Sequence, residues 1–180
     1  MSIAADLHGY TAAVVDFMRE HETWAAPIVA ALAFAESLAF ISLLIPAWAV
    51  LVAMGVLIHE TGMSFWPILV AGAVGAALGD WLSYWIGVKV GPSVADVWPL
   101  SRNPGLIPRS ERFVRRWGAV AIFIGRFFGP LRAAVPLVAG IFLMSWWRFQ
   151  IANFVSAFVW VAVVLTLGDF VGKLVRLVWP

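Results

Sequence analysis

The sequence has 180 residues, of which 63% are apolar and 12% charged, and its formal net charge is +2 at pH 7. Because an average globular domain is only about 45–50% apolar, this composition excludes a water-soluble globular protein and indicates an integral membrane protein. The length leaves room for one domain, and the absence of cysteine excludes disulfides, thiolate metal sites and cysteine nucleophiles. We therefore expect an all-α integral membrane fold.

Residues 1–23 are predicted to form an amphipathic helix that lies on the membrane surface. Apolar residues recur there at helical spacing and charged residues fall on the opposite face. No short apolar stretch with a small-residue cleavage site follows, so the segment does not have the pattern of a cleaved signal peptide. The rest of the chain, residues 24–180, is predicted to be one membrane domain.

The first repeat, residues 24–90, is predicted to contain a re-entrant helical hairpin followed by one full crossing. Residues 24–58 are too many for a single straight crossing, and Pro46 interrupts them. A proline inside a helix removes a hydrogen bond and breaks or kinks the helix at a cost of about 3 kcal/mol. We expect two half-helices to meet at a tip that contains Pro46 and Trp48, covered by protein or by a wet cavity. Phe65–Val90 is predicted to cross the membrane.

The second repeat, residues 118–180, is predicted to follow a basic linker at residues 91–117, which ends in a short interfacial helix. It contains another apolar hairpin, broken at Gly129 and Pro130, and a crossing at residues 147–178. The positive-inside rule puts the linker in the cytoplasm, because basic residues are more numerous at the linker and its edges than on the opposite side.

The two halves have the pattern of an internal repeat. Ser64 aligns with Ser145 and Gly87 with Gly168 at one shared offset of 81 residues (145 − 64 and 168 − 87). Pro46 and Pro130 mark the break in each copy. If each unit is one non-crossing hairpin plus one crossing, the second copy starts on the opposite side of the membrane. The repeat is then inverted, which is an arrangement found in transporters.

Four ionisable residues fall within the apolar segments, namely Glu36, Asp80, Arg126 and Arg132. An isolated charge at the centre of a membrane helix costs about 2.5–3.5 kcal/mol, so we expect these two acids and two arginines to cluster and neutralise one another. The two arginines flank the Gly129-Pro130 break, and their bidentate donors match phosphate or carboxylate, helped by the dipoles of helix N-termini. Because a buried carboxyl group resists ionisation, the two acids are candidate proton carriers.

Other chemistry has no support in the sequence. His8, His21 and His59 are scattered without metal-ligand spacing, and no nucleophile elbow or phosphate-cradling loop is present. We therefore expect no metal, no cofactor, no enzymatic activity and no nucleic-acid partner. Asp169 and Lys173, four residues apart near the end of the last crossing, are expected to form a solvated ion pair.

The segment 125–132, Gly-Arg-Phe-Phe-Gly-Pro-Leu-Arg, resembles the DedA family, the bacterial branch of the VTT or SNARE-associated membrane proteins. Asn153, Ser156 and Trp160 continue the family pattern, with Ser156 where glycine is usual. Glu36 followed by Pro46 fits the first half. The resemblance covers nearly the whole chain after residue 25.

The resemblance implies a multi-pass protein of the bacterial inner (plasma) membrane that moves undecaprenyl phosphate or phospholipids between leaflets, coupled to proton motive force. It implies Glu36 as the membrane-embedded acid and Arg126 and Arg132 as the essential arginines. Gly129, Pro130 and Asn153 are the further candidates for substrate binding. Trp48 departs from the family, because a second acid is expected just after Pro46, and the Gly129-Pro130 order replaces the commoner Pro-Gly.

The favoured hypothesis is a transporter of an anionic lipid, with arginines on the head-group phosphate and Glu36, together with Asp80, in proton coupling. The expected partners are membrane lipids and protons, and a homo-oligomer is left open. One alternative is a proton-coupled transporter of small ions or drugs. Another is a non-transporting lipid-binding or scaffold protein, in which the four charged residues only form buried salt bridges.

Overall fold

In this computed structural model, the structure describes residues 20, 22–38, 48–96, 100–102 and 104–178. All secondary structure in these residues is helical, which confirms the all-α prediction for this part of the chain. The α-helices, in chain order, are α1 (Glu22–Ser37), α2 (Trp48–Thr61), α3 (Phe65–Val90), α4 (Leu106–Trp117), α5 (Ala119–Gly125), α6 (Gly129–Ile141) and α7 (Trp146–Val178). Two 3₁₀ segments, Gly91–Asp96 and Leu100–Arg102, precede α4.

Two predicted features fall mainly outside the described residues. They are the surface helix of residues 1–23 and the proline at the first hairpin tip, Pro46. The other tip residue, Trp48, is the first residue of α2.

Helices α3 and α7 are long and apolar enough to cross a bilayer. The qualifying segments are Phe65–Ser93 and Trp146–Leu174. The 26 residues of α3 extend about 39 Å at 1.5 Å per residue, which exceeds a hydrocarbon core of about 30 Å. The helix bounds predicted for the first crossing are confirmed, and the helix predicted for the second crossing begins one residue earlier than predicted. Large apolar side chains, including Trp66, Val70 and Trp85, are exposed along α3, as on a lipid-facing surface.

The long helices α3 and α7 pack against each other, and the shorter helices pack around them. Helices α1 and α6 lie against α3, whereas α2 and α5 lie against α7. One apolar core, with Val29, Leu69 and Val161, joins α1, α2, α3 and α7. A second core joins α4, α5 and α6 to Tyr84 of α3 and Phe149 of α7.

Glycines allow the closest helix crossings. A methyl group added to Gly87 of α3 would lie 2.1 Å from the carbonyl oxygen of Leu137 in α6, so only glycine fits. Gly168 of α7 is equally tight, because a methyl group there would lie 2.1 Å from the carbonyl oxygen of Val52 in α2. Small residues at such crossings let helix backbones approach in a membrane, where van der Waals packing drives association.

Helix α4 is the short basic helix that the linker sequence predicts. Leu106, Ser110 and Val114 form its buried face, and the helix packs against α6 and α5. Its basic side chains are exposed, among them Arg112 and Arg116. This division between one buried and one basic face is typical of a helix at a membrane interface.

The turn between α6 and α7 is fixed by a tyrosine of α3. The Tyr84 hydroxyl donates a 2.7 Å hydrogen bond to the carbonyl oxygen of Met144, and its ring stacks on Phe149 with centroids 4.4 Å apart. Leu143 in this turn has a φ of 50°, an uncommon value for a residue other than glycine. The tyrosine therefore holds a strained turn in place.

Replacing Tyr84 with phenylalanine should lower the free energy of unfolding by about 1 kcal/mol, because the ring stacking stays while the hydroxyl donor to Met144 is lost. Denaturant unfolding of the purified protein in detergent micelles measures the change. A Tyr84→Phe protein as stable as the wild type would show that this hydrogen bond contributes nothing.

Candidate functional site

The four ionisable residues predicted from the sequence meet in one buried polar cluster, which we define as Glu36, Asp80, Arg126 and Arg132. Each is less than one tenth exposed. Arg126 Nη2 donates to Asp80 Oδ2, and Arg132 Nη1 donates to Glu36 Oε1 at 3.0 Å. Both ion pairs join an acid of the first half to an arginine of the second. The predicted clustering of opposite charges is confirmed.

A break in the helix positions the two arginines. Helix α5 ends at Gly125, residues 126–128 are non-helical, and α6 begins at Gly129 with Pro130 in its first turn. Proline suits that place because the first helical N–H groups have no intrahelical acceptor. Arg126 therefore follows one helix and Arg132 lies in the first turn of the next, which lets both side chains enter the same cluster.

Arg126 is held by several partners. Besides its bond to Asp80, Nη2 donates to Asn153 Oδ1 at 2.7 Å, and Nε donates to Ser156 Oγ at 3.0 Å. Asp80 comes from α3, whereas Asn153 and Ser156 are one turn apart on α7. Three side chains from both long helices therefore fix the orientation of this guanidinium group.

Asn153 ties α7 to α3 and orients Arg126. Its Nδ2 donates to the carbonyl oxygen of Ala77 at 2.9 Å and to Gln150 Oε1 at 3.2 Å, while its Oδ1 accepts from Arg126. The side chain is completely buried. All of its polar atoms are thus engaged in positioning the cluster.

Arg132 has fewer partners than Arg126 among the residues that the structure describes. Its guanidinium carbon lies 4.0 Å from the ring centroid of Trp160, a cation–π contact in addition to the ion pair with Glu36. Arg132 is also within electrostatic range of Asp80 and Arg126. The two ion pairs therefore form one electrostatic unit, in which two carboxylates balance two guanidinium groups.

The cluster contains hydrogen-bond donors that no described residue uses. Arg126 Nη1 and Arg132 Nε and Nη2 are buried without a partner among the described residues, and so is the acceptor Asp80 Oδ1. An unsatisfied buried polar group costs about 1–3 kcal/mol. Three buried guanidinium donors form a site suited to the oxygen atoms of an anion.

Two further side chains contact the cluster and a third contacts Asn153, although no role was predicted for them. Ser156 and Trp160 contact the arginines, and Gln150 contacts Asn153. Together with Asn153 they lie along one face of α7. The available signal was the appearance of polar residues at three-residue spacing within an apolar helix.

The described residues include no group of three or more His, Cys, Asp or Glu side chains able to hold a metal ion. The groups present in the cluster can form ion pairs, donate hydrogen bonds to an anion and exchange protons at its carboxyl groups. A bundle with two bilayer-length helices around a charge-balanced interior site defines an integral membrane protein with an intramembrane polar site.

Residues 45–170 match the VTT domain, and the chain belongs to this family, as the DedA resemblance predicts. It is 31% identical over 144 residues to the inner membrane protein YabI of Escherichia coli (strain K12), covering 80% of the chain and 57% of that protein. It is 34% identical over 131 residues to the inner membrane protein YqjA of the same strain, covering 72% and 59%.

A further relative is a membrane protein of Buchnera aphidicola subsp. Baizongia pistaciae, 30% identical over 156 residues, with coverage of 87% and 61%. The chain spans about three fifths of the length of these relatives. No solved structure is significantly similar to it. The family and its inner-membrane relatives identify the chain as an inner-membrane protein, as predicted.

Proposed function

We propose that this protein moves an anionic lipid, either undecaprenyl phosphate or a phospholipid, between membrane leaflets without enzymatic chemistry. The observation that supports the proposal is the set of guanidinium donors on Arg126 and Arg132 that no described residue accepts from, buried inside a charge-balanced cluster. A lipid phosphate supplies the oxygen acceptors that these donors lack, and charge-assisted hydrogen bonds are stronger than neutral ones.

Glu36 is the proton carrier in this proposal. Its carboxylate accepts from Arg132 Nη1 and so competes with a lipid phosphate for the same guanidinium group. Protonation of Glu36 weakens that bond and leaves the cluster with one excess positive charge, which a singly charged head group neutralises. Proton and lipid binding therefore favour each other.

The second acid is less suited to this exchange. Asp80 is paired with Arg126, which Asn153 and Ser156 also hold. We therefore assign Asp80 to fixing the phosphate-binding arginine. Because Trp48 stands where the family has its second acid, we assign proton exchange to Glu36.

We infer that the fold is an inverted repeat of two units, each a re-entrant hairpin followed by a crossing. The helix contacts support this, because the second helix of each hairpin packs on the crossing helix of the other unit: α2 packs on α7, and α6 packs on α3. The glycine contacts of these two helix pairs correspond. Gly55 of α2 contacts Gly168 of α7, and Gly140 of α6 contacts Tyr84 of α3, one turn before Gly87. Gly62 and Leu143, 81 residues apart (143 − 62), have φ values of 73° and 50° at equivalent turns. Units related in this way surround a central site in transporters.

Reconstitution into liposomes tests the proposal. Wild-type protein should exchange labelled undecaprenyl phosphate or phosphatidylglycerol between leaflets faster than empty vesicles, and a pH gradient should change the rate. Arg132→Ala should slow exchange by at least about tenfold, since hydrogen bonds to charged groups contribute about 1.5–3 kcal/mol. Glu36→Gln should remove the response to the pH gradient.

Matched variants separate the site from general damage. Lys173 forms an exposed ion pair with Asp169 at 2.7 Å, as predicted, so Lys173→Ala removes a pair on α7 and should leave exchange unchanged. Arg132→Lys keeps the charge but loses the planar fork, and should recover only part of the rate. No exchange of any lipid by folded wild-type protein would overturn the proposal in favour of a scaffold. Inhibition by soluble ions without lipid exchange would favour an ion transporter.

A further inference from the structure

An apolar groove of about 550 Å³ lies between α3 and α7, outside the buried polar cluster. This volume is in the range of about 300–1,000 Å³ that is usual for small-molecule sites. Most of its wall consists of exposed apolar side chains on the lipid-facing surface. The residues that form the wall include Leu78, Trp81, Trp146, Trp147, Ile151 and Phe154.

The groove contains one side-chain amide, that of Gln150. This residue is only 8% exposed although it lines the groove. Its Oε1 accepts a hydrogen bond from Asn153, whereas its Nε2 donates to no described residue. Because Gln150 lines the groove and its Nε2 has no acceptor among the described residues, this amide can donate to a ligand that carries an oxygen acceptor beside an apolar chain.

The groove is connected to the buried polar cluster by two hydrogen bonds. Gln150 accepts from Asn153 Nδ2, and Asn153 accepts from Arg126 Nη2 at 2.7 Å. Asn153 also donates to the carbonyl oxygen of Ala77, a groove residue. Asn153 therefore lies between the groove and the guanidinium group of Arg126, and its side chain connects the two through hydrogen bonds.

We infer that this groove binds the hydrocarbon chain of the anionic lipid, with Gln150 Nε2 donating to an oxygen next to the head group. The inference rests on the proposed function and identifies the route by which a lipid reaches the arginines from the side of the bundle. The tryptophan rings and Phe154 contact the chain, and the amide selects a lipid that has an oxygen at that depth. The head group then passes Asn153 to reach Arg126.

Filling the groove tests this inference. Leu78→Trp adds an indole to the groove wall, and Val163→Trp adds the same group to a lipid-facing position of α7 that does not line the groove. Liposomes of phosphatidylcholine receive a phosphatidylglycerol with a photoreactive diazirine on its acyl chain. Leaflet exchange and the position of the photolabel are both measured.

We expect the wild-type groove to be labelled above the surface around Val163, and excess unlabelled phosphatidylglycerol to suppress only the groove label. Leu78→Trp should reduce both groove labelling and exchange by about tenfold, because the indole displaces several methylene groups of the chain. Val163→Trp should behave as wild type. Gln150→Leu, which preserves the groove shape but removes the amide, should slow exchange and weaken the competable label in the groove.

The two readouts separate the two proposals. If wild-type protein exchanges lipid and both Leu78→Trp and Gln150→Leu keep its rate, the groove inference is overturned while the proposed function stands. If wild-type protein exchanges no lipid, the proposed function fails and labelling alone decides on the groove. Equal, non-competable labelling of all lipid-facing residues would then identify ordinary surrounding lipid and overturn the inference. If Leu78→Trp does not fold, the exchange rate and groove labelling of Gln150→Leu decide between these outcomes.

Discussion

Replacing Arg126 with methionine should lower the free energy of unfolding by about 3–5 kcal/mol, the usual cost of breaking a buried ion pair. The Asp80 carboxylate, only 3% exposed, would lose its counter-charge. Asn153 and Ser156 would lose the donors that they accept from. Denaturant unfolding in micelles measures the change, and lipid exchange should be lost in the same variant.

A double variant separates the charge from the packing. Asp80→Asn combined with Arg126→Met removes both charges and should recover much of the lost stability, because burying an ion pair is costly in itself. Exchange should stay lost. As a surface control, Arg115→Ala breaks the exposed pair with Glu111 and should change stability by about 0–1 kcal/mol. An Arg126→Met protein as stable as this control would contradict the central role of the pair.

Replacing Gly87 with alanine should destabilise the protein by about 2–3 kcal/mol or more, because overpacking against a backbone cannot be relieved by a side-chain movement. The new methyl group would lie 2.1 Å from the Leu137 oxygen and 3.0 Å from the Ile141 nitrogen. Helix α6 would have to move away from α3. Since α6 carries Arg132, lipid exchange should fall together with stability.

Gly105→Ala is the matched control for this crossing. Gly105 has a φ of −79°, and the nearest side-chain atom to an added methyl group is 3.9 Å away. Its stability should stay within about 0.5 kcal/mol of the wild type. Gly140→Ala, on the other side of the same crossing, should behave like Gly87→Ala. Equal stability of all three variants would show that α3 and α6 are not in backbone contact.

The crossing helices and the charged cluster could be predicted from the sequence for simple physical reasons. A long, largely apolar run sets the bounds of α3, Phe65–Val90. A proline cannot continue α5, so α6 starts anew at Gly129. The meeting of the two acids with the two arginines follows from the cost of leaving any of these charges alone in an apolar surrounding.

The partners within the cluster could not be predicted. The choice of Asp80 for Arg126 depends on where the glycine crossings place α3, and sequence spacing within one helix does not fix this. The stacking of Arg132 on Trp160 has the same origin, because α6, which carries Arg132, and α7, which carries Trp160, both pack against α3. The positive φ of Leu143 was also unexpected, since glycine is the usual residue there.

The three non-helical residues between α5 and α6 allow Arg132 to move more than Arg126. Arg126 is held by an acid, an amide and a hydroxyl on two long helices, so its position is fixed. Arg132 follows this break, on a short helix of 13 residues, and in the described part of the chain it contacts one carboxylate and one aromatic ring. A tilt of that short helix would move Arg132 while Arg126 keeps its position. An anion bound by both arginines would then rotate about Arg126.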